Sequence, residues 1–395
     1  MVATQTFKER ILTTMNHEEP DRVPVMSLLC EPSNVTRYTG KDSANYFKYL
    51  KDPKLRDMTE SLMNQDSIWN IEFFNFFRKL LNMAIELKFD ANWMWYLIFK
   101  FKKDERNPSN SLWYDTWGRR WELRIDNFGN PVPNYVGGFC STEEKWDAWI
   151  ENNTALFDNF IQSSAQFHKK IVEKCGKDIY VMNFAAGGIF ENSWQPIGFT
   201  EFVKYLYEKP KFIEKVVEFQ TAHYLKHVEA ICRAGNEVII IGDDLGHKTG
   251  PFLNPDLLEK VFGPSYRQIA EFVHKQNKKL ILHSCGNLYK LLDKFIAWGF
   301  DGLLTLEPTA SMELGKVRKL VGHQLVLIGN LDVTYLLVKG SRKEIEDAVK
   351  KAIKDAAAGG GFILSPSHNH SDVDPVRLQW MVEAAHKFGN YPIQM

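Results

Sequence analysis

The chain has 395 residues, and its content of 44% hydrophobic and 25% charged residues is ordinary for a soluble globular protein. Its 49 basic and 49 acidic residues give a formal charge of zero, which argues against nucleic acid or an anionic membrane as a partner. No stretch approaches the roughly 20 apolar residues of a membrane helix, and charged residues interrupt the first sixteen positions, where a signal peptide would be apolar. We therefore expect a cytoplasmic protein whose five scattered cysteines are reduced thiols.

Eight short β-branched or apolar runs, each bounded by Gly, Pro, Asn or Asp, predict β-strands. They are Val23–Leu29, Phe89–Trp95, Ile179–Phe184, Glu237–Ile241, Lys279–His283, Gly302–Leu306, Leu325–Ile328 and Phe362–Leu364. Runs such as 238–241 are apolar on both faces, which is typical of a parallel sheet covered by helices.

Amphipathic helices are predicted between the last five runs. They cover Leu257–Gln276, Leu288–Trp298, Ser311–Leu320 and Arg342–Ala358. This alternation of strand and helix indicates parallel βα units, and eight such units close a barrel. The sequence therefore predicts an α/β protein with a (β/α)8 fold, a TIM barrel. We find no internal repeat and no low-complexity linker, so we expect residues 1–395 to form a single domain.

The N-terminal half departs from this regularity because a long segment separates the second run from the third. Within that segment, residues 112–124 alternate around Gly118 in the manner of a β-hairpin. A helical stretch over 73–88 is assigned to the first βα unit. The sequence thus predicts an aromatic-rich cap of helices and a hairpin, inserted after the second strand over about residues 97–150.

Polar side chains concentrate where the predicted strands end. Because the parallel strands of a barrel point the same way, residues that follow them share one mouth. These positions are Asp90 (within the second run), Asn183, Asp243, Asp244, His247, His283, Cys285, Glu307, Asn330 and the segment 365–370. A barrel without a function has no reason to gather such groups at one end. Asp90, Asn183, His247 and Asn330 are the candidate substrate contacts among them.

His283 and Cys285 form the strongest pair. Side chains two positions apart on an extended strand point to the same side, so both can project into the mouth and bind one ion. One imidazole and one thiolate suit zinc. The alternative is a buried cysteine beside a histidine that hydrogen-bonds a carbonyl group. A catalytic zinc usually has about three protein ligands, and the eighth strand could supply a third from across the mouth.

Asp243, Asp244 and Glu307 are candidate catalytic residues. Neighbouring residues on a strand point to opposite faces, so at most one of the two aspartates faces the mouth. That one would act as a general base, a substrate anchor or a partner of a metal ligand. The alternatives are a helix cap or turn for the aspartates, and a pairing with a lysine for Glu307.

Aromatic residues crowd the second strand and the predicted cap. They are Trp93, Trp95, Tyr96, Phe99, Trp113, Tyr114, Trp117 and Trp121. Their rings could stack a flat substrate or cofactor, and Trp93 is the candidate substrate contact. The alternative is that they pack the inserted hairpin onto the barrel.

Several segments, taken in order, resemble the uroporphyrinogen decarboxylase superfamily. They are residues 6–10 and 19–25, Gly-Asp-Asp-Leu-Gly at 242–246, His-Ser-Cys-Gly-Asn at 283–287, Gly-Asn-Leu-Asp at 329–332, and Ser-Pro-Ser-His-Asn at 365–369 with Asp-Pro at 374–375. The resemblance spans nearly the whole chain, and it implies a (β/α)8 barrel with its site at the carboxyl ends of the strands.

Two chemistries occur in that superfamily. Porphyrinogen decarboxylases use no metal and hold the tetrapyrrole carboxylates with an arginine-rich stretch after the first strand. Here the corresponding residues 28–35 contain no arginine, and the first one is Arg37. The resemblance therefore favours the methyltransferase branch, which binds catalytic zinc through His-x-Cys after the fifth strand and a cysteine after the eighth.

That branch implies His283 and Cys285 as zinc ligands, with His368 at the position of the last cysteine and Glu307 or His370 as alternative third ligands. A site with one sulfur ligand is more electrophilic than a sulfur-rich one, which suits polarising an ether oxygen. We therefore expect a zinc-dependent methyltransferase that demethylates a methoxylated, aromatic substrate. The methyl group would pass to the Co(I) corrinoid, a cobalamin, of a partner protein.

Three alternatives stay open. Methyl transfer could run from a methyl-corrinoid to a thiol of the coenzyme M type. The protein could instead be a metal-free decarboxylase, or a non-catalytic barrel that binds a corrinoid or tetrapyrrole. The sequence does not decide between a monomer and a homodimer.

Overall fold

The computed structural model describes residues 4–28, 32–40, 77–95, 102–103, 112–125, 127, 131–185 and 187–393. Its strands are β1 (Met26–Ser27), β2 (Ala91–Trp95), β3 (Lys102–Lys103), β4 (Leu112–Tyr114), β5 (Arg119–Ile125), β6 (Pro131–Gly138), β7 (Tyr180–Ala185), β8 (Val238–Gly242), β9 (Gly246–His247), β10 (Gly250–Pro251), β11 (Lys279–Ser284), β12 (Gly302–Thr305), β13 (Val326–Leu331) and β14 (Phe362–Pro366). Its helices are α1 (Phe7–Met15), α2 (Pro32–Thr39), α3 (residues 77–86), α4 (Glu143–Cys175), α5 (Ile189–Trp194), α6 (Phe199–Glu208), α7 (Pro210–Arg233), α8 (Pro255–Lys275), α9 (Leu292–Ala297), α10 (Leu314–Val321), α11 (Leu336–Lys339), α12 (Arg342–Ala356) and α13 (Pro375–Phe388).

Eight parallel strands form one sheet in the order β1-β2-β7-β8-β11-β12-β13-β14. The sheet closes on itself where Val25, just before β1, bridges Leu364 of β14 in parallel. The Leu364 N–H also donates to the Pro24 carbonyl at 2.9 Å. Each strand falls on one of the eight predicted runs, so the predicted (β/α)8 barrel is confirmed.

Some predicted boundaries were wrong by a few residues. Strand β13 continues to Leu331 rather than ending at Ile328, because Asn330 and Leu331 pair with β14. The helix predicted over 288–298 is divided into a 3-10 turn at Tyr289–Leu291 and helix α9. Turn-forming residues such as Asn330 can therefore lie within a ladder when the neighbouring strand is long enough to pair with them.

The barrel interior is filled by alternate residues of the strands. Interior side chains include Met26, Trp93, Met182, Phe184, Ile240, Ile281, Leu304, Ile328 and Ile363. Ile11 and Met15 of α1 join this cluster and close the amino end of the barrel. The intervening residues, such as Ile239 and Leu282, pack outward against the helices. This alternation decides which side chain at each strand end faces the mouth.

A four-stranded antiparallel sheet, β3-β4-β5-β6, is inserted between barrel strands β2 and β7. It contains the predicted hairpin, with Trp113 opposite Trp121. The sheet docks on the segment that follows β7, where the Tyr135 hydroxyl donates to the Gln195 carbonyl at 2.8 Å. Gly138 permits this approach, since a Cβ there would lie 2.1 Å from the Pro196 carbonyl oxygen. We call β3–β6 the cap sheet.

Helix α4 follows the cap sheet and runs for 33 residues from its N-cap, Thr142. Charged residues recur along it, including Glu143 and Glu144 in its first turn and Lys174 in its last. Across the described part of the chain, the helices lack the combination of length and apolar character that crossing a bilayer requires.

Candidate metal centre

His283, Cys285 and His368 bring one ligand atom each to within 4.8 Å of one another. His283 shares the interior face of β11 with Ile281, Cys285 follows that strand, and His368 follows β14. His283 Nε2 lies 3.8 Å from Cys285 Sγ, close to the separation of about 3.6 Å between ligands of a tetrahedral zinc ion. Within the described ranges, these three residues form the group of His, Cys and carboxylate side chains whose ligand atoms lie close enough together to hold a metal ion.

The segment that carries His368 is fixed by side chains of α2. The Asn34 amide donates to the Val373 carbonyl at 2.9 Å, and the Arg37 guanidinium donates to the Ser371 carbonyl at 3.2 Å. His368 Nδ1 lies 2.7 Å from the Asn369 carbonyl oxygen and therefore carries the ring proton. This tautomer leaves His368 Nε2 with a free lone pair for a metal ion.

Burial controls the protonation of the donors on β11. It lowers the pKa of His283 to about 4, so the imidazole is neutral at pH 7 and able to bind a metal. Burial and the charges of Asp244 and Glu307 raise the pKa of the Cys285 thiol well above its usual range. A divalent cation at this point would reverse that balance and stabilise the thiolate. The three donors and the surrounding negative charge therefore fit zinc.

Two carboxylates hold the His-x-Cys segment in place. Asp244 Oδ1 accepts the Cys285 N–H at 2.9 Å and lies 4.0 Å from His283 Nε2. Glu307 Oε2 accepts the next N–H, that of Gly286, at 2.7 Å. Gly286 has φ +91°, and a Cβ there would lie 2.4 Å from the carbonyl carbon of Gly246. Only glycine fits this turn, which directs the chain away from the mouth directly after Cys285.

Two aromatic rings form a wall beside His283. The Trp93 ring centroid is 5.4 Å from that of His283, and the Phe184 centroid is 5.7 Å away. Phe184 was missed in the sequence, although its alternation with Met182 on β7 places it inside the barrel. Gly242 makes room for it, since a Cβ there would lie 2.4 Å from Phe184 Cζ.

The family model described as uroporphyrinogen decarboxylase (URO-D) matches residues 150–388, more than half of the chain. The chain belongs to this family. A methylcobamide:CoM methyltransferase, MtaA, of Methanosarcina barkeri is 26% identical over 220 residues, or 55% of this chain and 61% of that protein. A uroporphyrinogen decarboxylase of Dichelobacter nodosus is 25% identical over 184 residues, or 46% of this chain and 50% of that protein. The chain thus spans about half to three fifths of the length of these curated relatives.

The chain shares its fold with a solved structure described as a methyltransferase from Methanosarcina mazei. The two superpose with a TM-score of 0.65 at 19% identity, over 97% of this chain and 99% of the other. The family match confirms the family assignment made from the sequence motifs, and the superposition supports the fold alone.

Of the two aspartates in the URO-D motif at 242–246, Asp244 lies beside the metal donors and Asp243 does not. Asp243 accepts the N–H groups of Phe190 (2.8 Å) and Glu191 (2.9 Å) and the Tyr266 hydroxyl (2.6 Å). Its carboxylate is fully buried, and burial raises its pKa to about 7. Asp243 therefore caps α5, the alternative considered for it, and its carboxylate lies apart from the three donors.

The substrate role predicted for Asp90 is wrong. Asp90 precedes β2 and so lies at the amino end of the barrel, opposite the mouth. Its carboxylate accepts from Arg10 and Arg22, each at 2.7 Å, and from the Val25 N–H at 2.9 Å. It forms a buried ionic cluster that stabilises this end.

Asn183 was predicted to contact substrate, and this prediction fails because of the alternation on β7. Met182 and Phe184 point into the barrel, so Asn183 between them points outward to the helix layer. There its side-chain oxygen lies 3.1 Å from His168 Nδ1 of α4.

His247, Asn330 and His370 have other partners than the three donors. The His247 ring is exposed and lies 5.5 Å from the Phe252 ring. Asn330 Nδ2 donates to the Leu306 and Met312 carbonyls, which fixes the loop after β12. His370 is half-exposed and faces Asp372 at 3.6 Å, so His368 is the third donor in the structure.

Three of the aromatic residues considered as a stacking surface pack within or against the cap sheet instead. Trp113 is 3% exposed, and the Trp117 ring lies 4.5 Å from that of Phe157 on α4. Trp121 donates from its indole nitrogen to Asp115 at 2.9 Å. Tyr96, Phe99 and the Trp95 side chain lie outside the described residues. Trp93 is the predicted aromatic contact that does lie against His283.

Proposed function

We propose that this protein is a zinc-dependent methyltransferase that works with a corrinoid protein and takes its methyl group from a methoxylated aromatic compound. The observation that carries the proposal is the convergence of His283, Cys285 and His368 at the mouth of a URO-D barrel. The relatives named as methylcobamide:CoM methyltransferases support the use of a corrinoid. We also infer that residues 1–395 act as one domain, because the cap sheet docks directly on barrel loops.

His283, Cys285 and His368 would hold the zinc ion. When bound, zinc supplies a Lewis acid that polarises an oxygen or sulfur atom of the substrate. His283 is neutral at pH 7 and so need not lose a proton first, and His368 presents its Nε2. Cys285 is the donor that must ionise, and the N–H groups bound by Asp244 and Glu307 hold its segment in position.

The substrate side of the site is supported by the aromatic wall. Trp93 and Phe184 would hold a flat ring next to the metal ligands, with its ether oxygen toward the three donors. Asp244 is the half-exposed carboxylate beside these donors, with 36% of its side chain accessible. In this proposal it would deliver a proton to the phenolate oxygen that is left when the methyl group departs.

A second candidate is transfer in the other direction, from a methyl-corrinoid to a thiol. It is favoured by the Methanosarcina barkeri relatives, which are named methylcobamide:CoM methyltransferases. In that case Asp244 would not need to donate a proton, and the aromatic wall would exclude water from the thiolate. The two candidates share the same three metal ligands.

A panel of methyl donors and acceptors tests both directions of methyl transfer. The zinc-loaded protein is incubated with Co(I) cobalamin and methoxyaromatics, methanol or methylamines, and separately with methylcobalamin and thiols. Formation of methylcobalamin from a methoxyaromatic is the expected result, followed by the change in corrin absorbance. Methylation of a thiol without any demethylation would establish the second candidate. Inactivity of the zinc-loaded protein in all arms would overturn methyl transfer itself.

A further inference from the structure

A chain of hydrogen bonds connects the cap sheet to the Cys285 main chain. Arg119 Nη1 of β5 donates to Gln195 Oε1 at 3.1 Å, and Gln195 Nε2 donates to Glu191 Oε1 at 2.8 Å. Glu191 Oε2 accepts the Asp244 N–H at 3.3 Å, and Asp244 Oδ1 accepts the Cys285 N–H at 2.9 Å. The sequence separations along this chain reach 76 residues, so no local motif reveals it.

Each link of the chain has only one workable polarity. A guanidinium group can only donate, so Arg119 fixes the side-chain amide of Gln195 with its oxygen toward the arginine. The amide nitrogen of Gln195 must then donate toward Glu191. The Asp244 N–H donates from the other side, so position 191 must present an acceptor at both of its terminal atoms. A carboxylate group meets this requirement and an amide cannot.

Burying these charged and polar side chains costs free energy. We therefore expect their hydrogen bonds to serve a function. Arg119 is 5% exposed and Gln195 is 9% exposed, so the links lie largely out of water. Helix α5, which carries Glu191, already has Asp243 as its cap, so Glu191 is not needed to begin that helix.

We propose that Glu191 is a positioning residue for the metal centre, which acts through Asp244 to set the place of Cys285. Arg119 and Gln195 extend this control to the cap sheet, so that the cap and the thiolate ligand are adjusted together. The inference rests on the zinc site proposed above and is independent of the methyl donor.

The test uses Co²⁺ in place of zinc, because its visible and near-ultraviolet bands report the coordination geometry and the bond to sulfur. Glu191→Gln places an amide between two donors, so one contact in the chain becomes repulsive. We expect altered cobalt bands and about tenfold weaker zinc binding in a chelator competition, as for other residues that support metal ligands. Gln195→Glu sets two carboxylates against each other and should have a similar effect.

The double variant Glu191→Gln/Gln195→Glu restores every link with the same atoms and charge. The carboxylate at position 195 then accepts from Arg119 and from the amide at 191, and that amide's oxygen accepts the Asp244 N–H. We expect wild-type cobalt bands and zinc affinity to return. The control is Ser193→Ala on the same helix, which removes only the Ser193 hydroxyl bond to the Ile189 carbonyl (2.6 Å). It should leave the bands unchanged, and circular dichroism verifies that each variant is folded.

Three results would contradict the proposal. Wild-type bands in folded Glu191→Gln would show that the residue does not position Cys285. If the cobalt bands change in Glu191→Gln and the double variant does not restore them, Glu191 acts through its charge alone and not through the chain of hydrogen bonds. A wild-type protein that binds neither cobalt nor zinc would overturn the metal centre, and the present inference with it, before any question of the methyl donor arises.

Discussion

The two ends of the barrel each hold a cluster of buried polar residues, and the clusters are built on opposite rules. At the amino end, Asp90 is shared between Arg10 and Arg22, and Arg10 also binds Asp21. Opposite charges meet there with every carboxylate paired. At the carboxyl end, a cysteine and two histidines lie among carboxylates, three of which, Asp244, Glu307 and Glu191, accept main-chain N–H groups.

The difference between the two clusters indicates that one end of the barrel stabilises the fold and the other end carries the function. A paired cluster is self-sufficient and loses stability when one partner is removed. In a cluster of carboxylates around neutral donors the negative charges repel one another, and a bound cation removes this repulsion. On this barrel the amino end therefore serves the fold and the carboxyl end serves the chemistry, in keeping with the position of active sites on the TIM barrel.

The largest effect is expected from removal of a metal donor. Cys285→Ala or His283→Ala should lower zinc affinity by more than about 100-fold, because the loss of a supporting residue alone costs about 10- to 100-fold. Zinc content after dialysis and methyl transfer should both fall to background, while circular dichroism stays that of the wild type. Cys232→Ala, at a buried cysteine of α7, is the matched control and should keep its zinc. Stoichiometric zinc in both donor variants would exclude this centre.

At the other end, Asp90→Asn should destabilise the fold without loss of zinc. The substitution leaves Arg10 and Arg22 facing a neutral amide, and breaking a buried ion pair costs about 3–5 kcal/mol. We expect a lower urea midpoint with unchanged zinc content. Asp347→Asn removes the exposed pair with Lys343 and should leave the urea midpoint close to that of the wild type. Equal effects of the two substitutions would show that the amino-end cluster has no special role.

A smaller and more selective effect is expected from the aromatic wall. Trp93→Leu removes a ring 5.4 Å from His283, and an aromatic pair is worth about 0.5–1.5 kcal/mol beyond its buried area. We expect kcat/KM for a methoxyaromatic to fall by up to about tenfold, with zinc content unchanged. Trp93→Phe should retain most of the activity, and Trp380→Leu, on α13, should have no effect. An unchanged kcat/KM in Trp93→Leu would exclude stacking on this residue.

The sequence predicted the barrel well because its signals are local. Runs such as 238–241 and 280–282 are apolar on both faces, and each coincides with an observed strand. The pair His283 and Cys285 could be found for the same reason, since a spacing of two on a strand end determines their common direction. His368 required the family resemblance, because no local rule relates the eighth strand to the fifth.

The site predictions failed where they depended on the direction of a side chain or on a contact between residues far apart in the sequence. Asp90 was counted among the mouth residues although it lies at the start of the predicted run, and the residue that precedes β2 is at the amino end of the barrel. Asn183 was misassigned because its neighbours Met182 and Phe184 take the interior positions. Glu191 gave no signal at all, since its partner Asp244 is 53 residues away.

The smallest predicted effect is on the pH dependence of stability, and it concerns His386 at the amino end of the barrel. Burial and the positive charge of Arg22 lower the pKa of His386 to about 4, against about 6.5 in an unfolded chain. As the pH falls from about 6.5 to 4, the unfolded chain therefore takes up a proton at this position before the folded protein does. The stability that His386 contributes is present above pH 6.5 and is lost over this window.

His386→Gln removes the titrating ring, so the variant should lose less stability than the wild type between pH 6.5 and 4. Urea unfolding at several pH values measures this, and the difference should be small because part of the ring is accessible to solvent. The comparison is sharpest in protein freed of zinc, where the metal ligands do not add their own dependence on pH. A variant with the same pH slope as the wild type would show that burial and the nearby arginines do not lower the pKa of His386 in the folded protein.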